Sequence, residues 1–275
     1  MKLSLGKFFK PLTLLSYADI ATLTSAFLGF LAITYIIDGS IPSFIVAMIL
    51  LPISAIIDGM DGALARRFGT KHDFGKYLDS ISDSICFGLA PSILVYSLYY
   101  DVGRGPALDF INKDLEFAFR YDLENLVAIT AALMIALLSI LRLARFTIGT
   151  QGENTYFSGL PAPGLTIFIV VVSIKYSVVN DYHSILVPFV IGLVSLLTVT
   201  TIPYAKARAG FRNPILFGIL FLIMTITLLY FQNSMWETLW YASFSLYMVY
   251  FAIIPCMIGA GYFEELSSSS VDNGD

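Results

Sequence analysis

Apolar stretches of about twenty residues alternate with short polar connections along most of this chain, the spacing that predicts membrane-crossing helices. About eight spans are expected, near Asp19–Ile37, Ile41–Arg67, Asp73–Tyr99, Leu126–Thr147, Gly164–Val179, Ser184–Tyr204, Ile215–Phe231 and Trp236–Tyr262. The fifth and seventh are short for a crossing. Ahead of the first span, Leu3–Ser16 mixes Lys with Phe and Leu, the pattern of a helix lying in the interface. From Glu264 onward the chain is acidic and Ser-rich, which predicts a disordered tail. The expected fold is an all-α integral membrane protein, a polytopic bundle of about eight transmembrane helices with an N-terminal interfacial helix.

Composition supports this reading and excludes others. The chain is 57% hydrophobic and 13% charged, whereas soluble domains carry about 25% charged residues. Mean hydropathy is +0.79. Lys2, Lys7 and Lys10 lead into the first span without a small-residue cleavage site, so a cleavable signal peptide is not expected. Net charge, −4, says little, because orientation follows the placement of Lys and Arg. With a cytoplasmic N-terminus, only Arg104, Lys113, Arg120 and Lys175 fall outside, and the rest of the 16 basic residues fall inside. Both termini are therefore expected in the cytoplasm, with the protein multi-pass in the cell membrane. Loop 101–125 reads as a solvated amphipathic helix on the outer side. Cys86 and Cys256 lie in apolar runs and read as small buried hydrophobes. There is no basic stripe for nucleic acid.

One run departs from the apolar background. It reads Asp58-Gly-Met-Asp61-Gly62-Ala-Leu-Ala65-Arg66, then Gly75-Lys-Tyr-Leu-Asp79-Ser-Ile-Ser-Asp83. At about 100° per residue, Asp58 and Asp61 share one helical face, and Asp79 and Asp83 share another. A polar turn, Phe68-Gly69-Thr70-Lys71-His72, folds the two helices antiparallel, so the acids meet near the inner interface. Four carboxylates at one depth repel one another unless cations lie between them, and hard oxygen donors suit Mg²⁺, Mn²⁺ or Ca²⁺. The competing structural reading pairs these acids with Arg66, Arg67, Lys71 and Lys76 in an interfacial charge network.

The run matches D-x-x-D-G-x-x-A-R, eight residues, then G-x-x-x-D-x-x-x-D, and so resembles the signature of the CDP-alcohol phosphatidyltransferases. The resemblance implies an enzyme that displaces CMP from a CDP-linked lipid, with Mg²⁺ or Mn²⁺ as cofactor and two ions at the site. It implies metal ligation by Asp58, Asp61 and Asp79, with Asp83 a metal-adjacent general base. Gly62, Ala65 and Arg66 would contact the CDP moiety, and Gly75 its nucleotide side. It implies a homodimer as well. Organisation then reads as 1–18 interfacial, 19–204 catalytic helices, 205–263 C-terminal spans and 264–275 tail.

Two further segments resemble the phosphatidylserine synthase branch and its archaeal ether-lipid counterpart. One is Ser84-Ile-Cys-Phe87-Gly88-Leu-Ala90-Pro91. The other is Leu141-Arg142-Leu-Ala144-Arg145-Phe146, followed by Tyr156-Phe157-Ser158-Gly159-Leu160-Pro161-Ala162-Pro163. They imply L-serine as the acceptor. Independently, Arg142 and Arg145 share a helical face at the depth of the acids. A guanidinium fork there either grips a carboxylate or anchors the helix by snorkelling. Two rival functions stand beside this. The same fold could act on glycerol 3-phosphate or inositol phosphate, using Arg145, Lys206 and Arg208. A cation transporter would need carboxylates spread along a crossing path, and here they stop at one depth. Tyr17-Ala18-Asp19 departs from the Asn common in relatives and leaves Asp19 without an assigned role.

Overall fold

The computed structural model describes residues 15–68, 73–100, 123–148, 156–174 and 185–205, with the side chains of 61–68, 73, 123, 124, 146, 148, 156, 157 and 203–205 outside that description. The expected interfacial helix, the polar turn 69–72, the outer loop, the last two spans and the tail lie outside the described residues.

Helix α1 runs Tyr17–Asp38 and α2 runs Ile41–Phe68. Helix α3, Asp73–Asp83, passes through a π turn, Ser84–Leu89, into α4, Ala90–Tyr99. Helix α5 is Leu123–Ile148, α6 is Ala162–Ser173 and α7 is Leu186–Leu196, closed by a 3₁₀ turn, Leu197–Val199. Among the described residues, four helical stretches are long and apolar enough to cross a membrane: Tyr17–Asp38, Ile41–Met60, Phe74–Tyr99 and Asn125–Arg145. These match the first four expected spans. The fifth and sixth appear as the shorter apolar helices Ala162–Ser173 and Leu186–Val199.

The sixth span was expected as far as Tyr204. Instead the helix stops at Val199, and Pro203–Ala205 forms a strand, β2, antiparallel to β1, Tyr156–Ser158. Pro203 cannot donate to a continuing helix, and Thr200 and Thr201 favour extended backbone. This small ribbon is the one departure from an all-helical description among the described residues.

The helix ends follow from local chemistry. Ser16 caps α1: its hydroxyl accepts from Asp19 N at 3.3 Å, and Asp19 Oδ2 accepts from Ser16 N at 2.7 Å and Ser16 Oγ at 2.8 Å. Asp19 is thus the reciprocal half of a capping box, an arrangement whose loss costs about 0.5–2 kcal/mol. At the other end Gly39 takes φ 73° and closes α1 by donating to Ile36 O.

The exterior is apolar. Ile20, Leu23, Phe27 and Phe30 form one exposed stripe on α1, Leu126, Leu133, Leu137 and Ile140 another on α5, and Leu186, Phe189, Leu193 and Leu196 a third on α7. Water would penalise such stripes, and lipid chains would not. Inside, Ile36, Met48, Leu51, Leu94, Ile135, Leu160, Phe168 and Ile169 form the core.

Since lipid is as apolar as that core, the helices are held by close packing and by hydroxyls donating to neighbouring backbones. Ser25 Oγ donates to Ser54 O (3.1 Å), Ser82 Oγ to Thr22 O (2.9 Å), Ser92 Oγ to Ala132 O (2.7 Å) and Ser139 Oγ to Phe87 O (3.3 Å). The π turn has a cause in the same network. Pro91 has no N–H to offer the Phe87 carbonyl in an α register, and the Ala90 N–H reaches Ile85 O instead.

Helix α1 lies against this turn so closely that a Cβ on Gly29 would sit 2.7 Å from Cys86 Sγ and 3.0 Å from Cys86 Cα. Gly29→Val should therefore overpack the α1–π contact and destabilise by about 1–3 kcal/mol, read as a lower thermal midpoint in detergent. Gly59→Ala, which meets no atom within 4 Å, is the control. An unchanged midpoint in Gly29→Val would show that the helices do not pack there.

Candidate functional site

Asp58 sits near the end of the apolar part of α2, and Asp79 and Asp83 sit one turn apart on α3. One carboxylate oxygen from each lies within 4.8 Å of the others, and all three side chains are half-buried. Ionised pairs at that separation repel by about 3–4 kcal/mol at an effective dielectric near 20. The donor set fits a hard divalent cation. Metal–oxygen bonds of about 2.0–2.6 Å and ion pairs about 3.5–4 Å apart span the same distances.

Several bonds hold α3 in this register. Ser82, just before Asp83, ties it to Thr22 of α1. Cys86, beyond Asp83, is buried, donates from Sγ to Ser25 O at 3.1 Å, and lies in the field of Asp58 and Asp83. On the opposite side, Lys76 Nζ donates to Thr147 O at 2.7 Å, and Ser80 Oγ bonds Thr147 Oγ1 at 2.8 Å. Lys76 thereby places a cation on a C-terminal carbonyl of α5, the favourable end of the helix dipole. The sequence offers Lys76 only as a partner for the acids and Thr147 only as the end of a span, because nothing local tells that α3 meets the end of α5.

Helix α5 brings Arg142 and Arg145 to this end of the bundle, where their surroundings differ. Arg142 is buried, at 7% exposure, and is an electrostatic neighbour of Asp83 and of Arg145. Its Nε has no hydrogen-bond partner among the described residues. Arg145 is exposed and already engaged: Nη2 donates to Ser158 O at 2.8 Å and Nη1 to Val199 O at 3.1 Å, with Thr200 O 3.4–3.5 Å from both.

Gly75 is half-buried on α3, one turn before Asp79. Asp61, Gly62, Ala65 and Arg66 belong to the last turns of α2, and their side chains fall outside the described set.

The acid cluster makes a sign-inverting prediction. With metal removed by chelator, Asp79→Asn relieves like-charge repulsion and should raise the thermal midpoint. Added Mg²⁺ or Mn²⁺ should then stabilise the wild type and fail to stabilise the variant. A variant that is weaker in chelator and still stabilised by metal would show that the three carboxylates do not share a cation.

A model of the CDP-alcohol phosphatidyltransferase family matches residues 15–254. Archaetidylserine synthase of Methanothermobacter thermautotrophicus is 32% identical over 199 residues, 72% of this chain and 72% of that protein. CDP-diacylglycerol–serine O-phosphatidyltransferase of Helicobacter pylori is 28% identical over 215 residues, 76% of this chain and 80% of that protein. A protein of the same name from Methanocaldococcus jannaschii is 33% identical over 174 residues, 62% and 69% of the two chains.

Proposed function

The chain belongs to the CDP-alcohol phosphatidyltransferase family, and from that premise we propose that it transfers the phosphatidyl group, or its ether-lipid analogue, from a CDP-linked lipid to the hydroxyl of L-serine, releasing CMP. The observation that carries the reading is the convergence of Asp58, Asp79 and Asp83 within 4.8 Å beside the buried Arg142. The similarity to proteins named as serine phosphatidyltransferases and as an archaetidylserine synthase supports the acceptor.

Asp58, Asp61 and Asp79 would hold Mg²⁺ or Mn²⁺, and Asp83 lies close enough to share in that ligation. Bound divalent metal neutralises charge on the phosphoryl oxygens and leaving group. Arg66, with Gly62 and Ala65 of the same motif, would contact the CDP moiety, and Gly75 would leave room for the nucleotide. Arg142 orients serine through its carboxylate, using a guanidinium held in place by burial. The serine oxygen then forms its bond to the lipid-proximal phosphorus, the phosphorus–oxygen bond to CMP breaks, and an Asp83 oxygen receives the hydroxyl proton. We place this end of the bundle on the cytoplasmic side, from the Lys and Arg asymmetry of the loops. That location serves both substrates, since the lipid presents its head group at the inner interface and serine arrives from the cytoplasm.

The test is transfer of labelled serine to lipid by the purified protein, supplied with CDP-diacylglycerol or its diether analogue and Mn²⁺ or Mg²⁺. Equal amounts of lipid product and CMP are expected, with activity lost in chelator and restored by metal. Asp83→Asn should lower turnover by about two or more orders of magnitude while CDP-lipid still binds. Incorporation of glycerol 3-phosphate or inositol phosphate in place of serine would reassign the acceptor. Full turnover after verified metal removal would overturn the metal assignment.

A further inference from the structure

Arg145 holds together three chain segments that meet at the end of α5. Its guanidinium spans Ser158 O of β1 and the Val199 and Thr200 carbonyls that close α7. Those last carbonyls carry the negative end of the α7 dipole, so a cation is favoured there. The backbone beside it is fitted to the same contact. Gly159 has φ +80°, and a Cβ there would lie 2.5 Å from Thr198 O and 2.8 Å from Thr200 O. Gly159 N donates to Ile202 O at 2.8 Å and Leu160 N to Leu197 O at 2.9 Å. The strand Tyr156–Ser158 and the turn after it are thus seated on the end of α7, and Arg145 joins both to α5.

One turn earlier on α5 is Arg142, buried and within electrostatic reach of Asp83. Thr147, two residues after Arg145, is fastened to α3 through Lys76 and Ser80. The last turn of α5 is therefore held from both sides, by the acid-bearing helix and by the ribbon. The N–H groups of both Arg145 terminal nitrogens are engaged by carbonyls, whereas Arg142 keeps an Nε without a hydrogen-bond partner among the described residues.

We infer that Arg145 is a positioning residue: by stapling the ribbon and the end of α7 to α5, it sets the geometry through which Arg142 receives the acceptor carboxylate. This rests on the acceptor role assigned to Arg142 above. The span suits a fork, because a guanidinium presents donors from two nitrogens at fixed planar spacing, whereas the three donors of an ammonium radiate from a single atom. The sequence pair Arg145 and Ser158-Gly159-Leu160-Pro161 then reads as one unit: a cation, a carbonyl for it, and a glycine that lets the backbone approach.

A double-mutant cycle with amide exchange separates this from direct ligation. Arg145→Leu in the full-length protein should raise the serine KM by about tenfold while the CDP-lipid KM stays within about twofold. Exchange at Gly159 and Leu160 should accelerate in the same variant. Arg145→Lys, which keeps the charge and loses the fork, should show intermediate values of both and keeps the test usable if the Leu variant folds poorly. In an Arg142→Leu background, Arg145→Leu should add less than about a twofold further rise in serine KM. Effects that multiply across the cycle, or a raised KM with unchanged exchange, would make Arg145 a ligand in its own right and overturn the proposal. An unchanged serine KM in Arg142→Leu alone would overturn the acceptor role of Arg142, and accelerated exchange in Arg145→Leu would then mark Arg145 as a structural staple only.

Discussion

Three carboxylates from two helices, gathered within 4.8 Å at one end of an apolar bundle, set the condition that the rest of the molecule satisfies. Left alone they push α2 and α3 apart, and each ionised pair opposes folding by an amount comparable to a good share of a domain's net stability. Arg142, buried and within electrostatic reach of Asp83, offsets part of that repulsion, and in the proposed function a divalent cation among the carboxylates would offset the rest. A site that a metal would relax in this way would suit the proposed phosphoryl transfer, where the developing charge must be met by groups already in place.

Membrane helices gain little by burying apolar side chains from equally apolar lipid, so the register of the site rests on small residues and hydroxyls. Gly29 lets α1 touch the π turn at Cys86, and Ser25, Ser82 and Ser139 each donate to a backbone carbonyl of a neighbouring helix. The π turn directly follows Asp83, so the acid-bearing turn of α3 and the buried face of α4 meet at a point of altered pitch. Widened turns of this kind often occur at functional sites, where they re-aim side chains without ending the helix.

Much of the site was legible because its spacing is local. Asp58 and the pair Asp79 and Asp83 sit on helices whose pitch alone puts the acids on shared faces, and the first four apolar runs match the observed helices to within a few residues. The cap at Ser16 is legible too, since Ser-x-x-Asp before an apolar run is a capping signature. Other features were hidden because they depend on distant parts of the chain. The split between Arg142 and Arg145 is set by the ends of α7 and β1, more than ten residues away along the chain and, for α7, more than fifty. The tie from Lys76 to Thr147 and the ribbon between 156–158 and 203–205 are equally non-local. A periodic apolar pattern also could not show the π turn, which arises where Pro91 withdraws a single N–H.

The most direct test of this account is anomalous scattering from crystals of the full-length protein grown with Mn²⁺ and a CDP-linked lipid. The account predicts manganese peaks within about 2.0–2.6 Å of oxygens from Asp58, Asp79 and Asp83. Manganese bound elsewhere, with those three carboxylates paired to basic side chains in the presence of the metal, would contradict it.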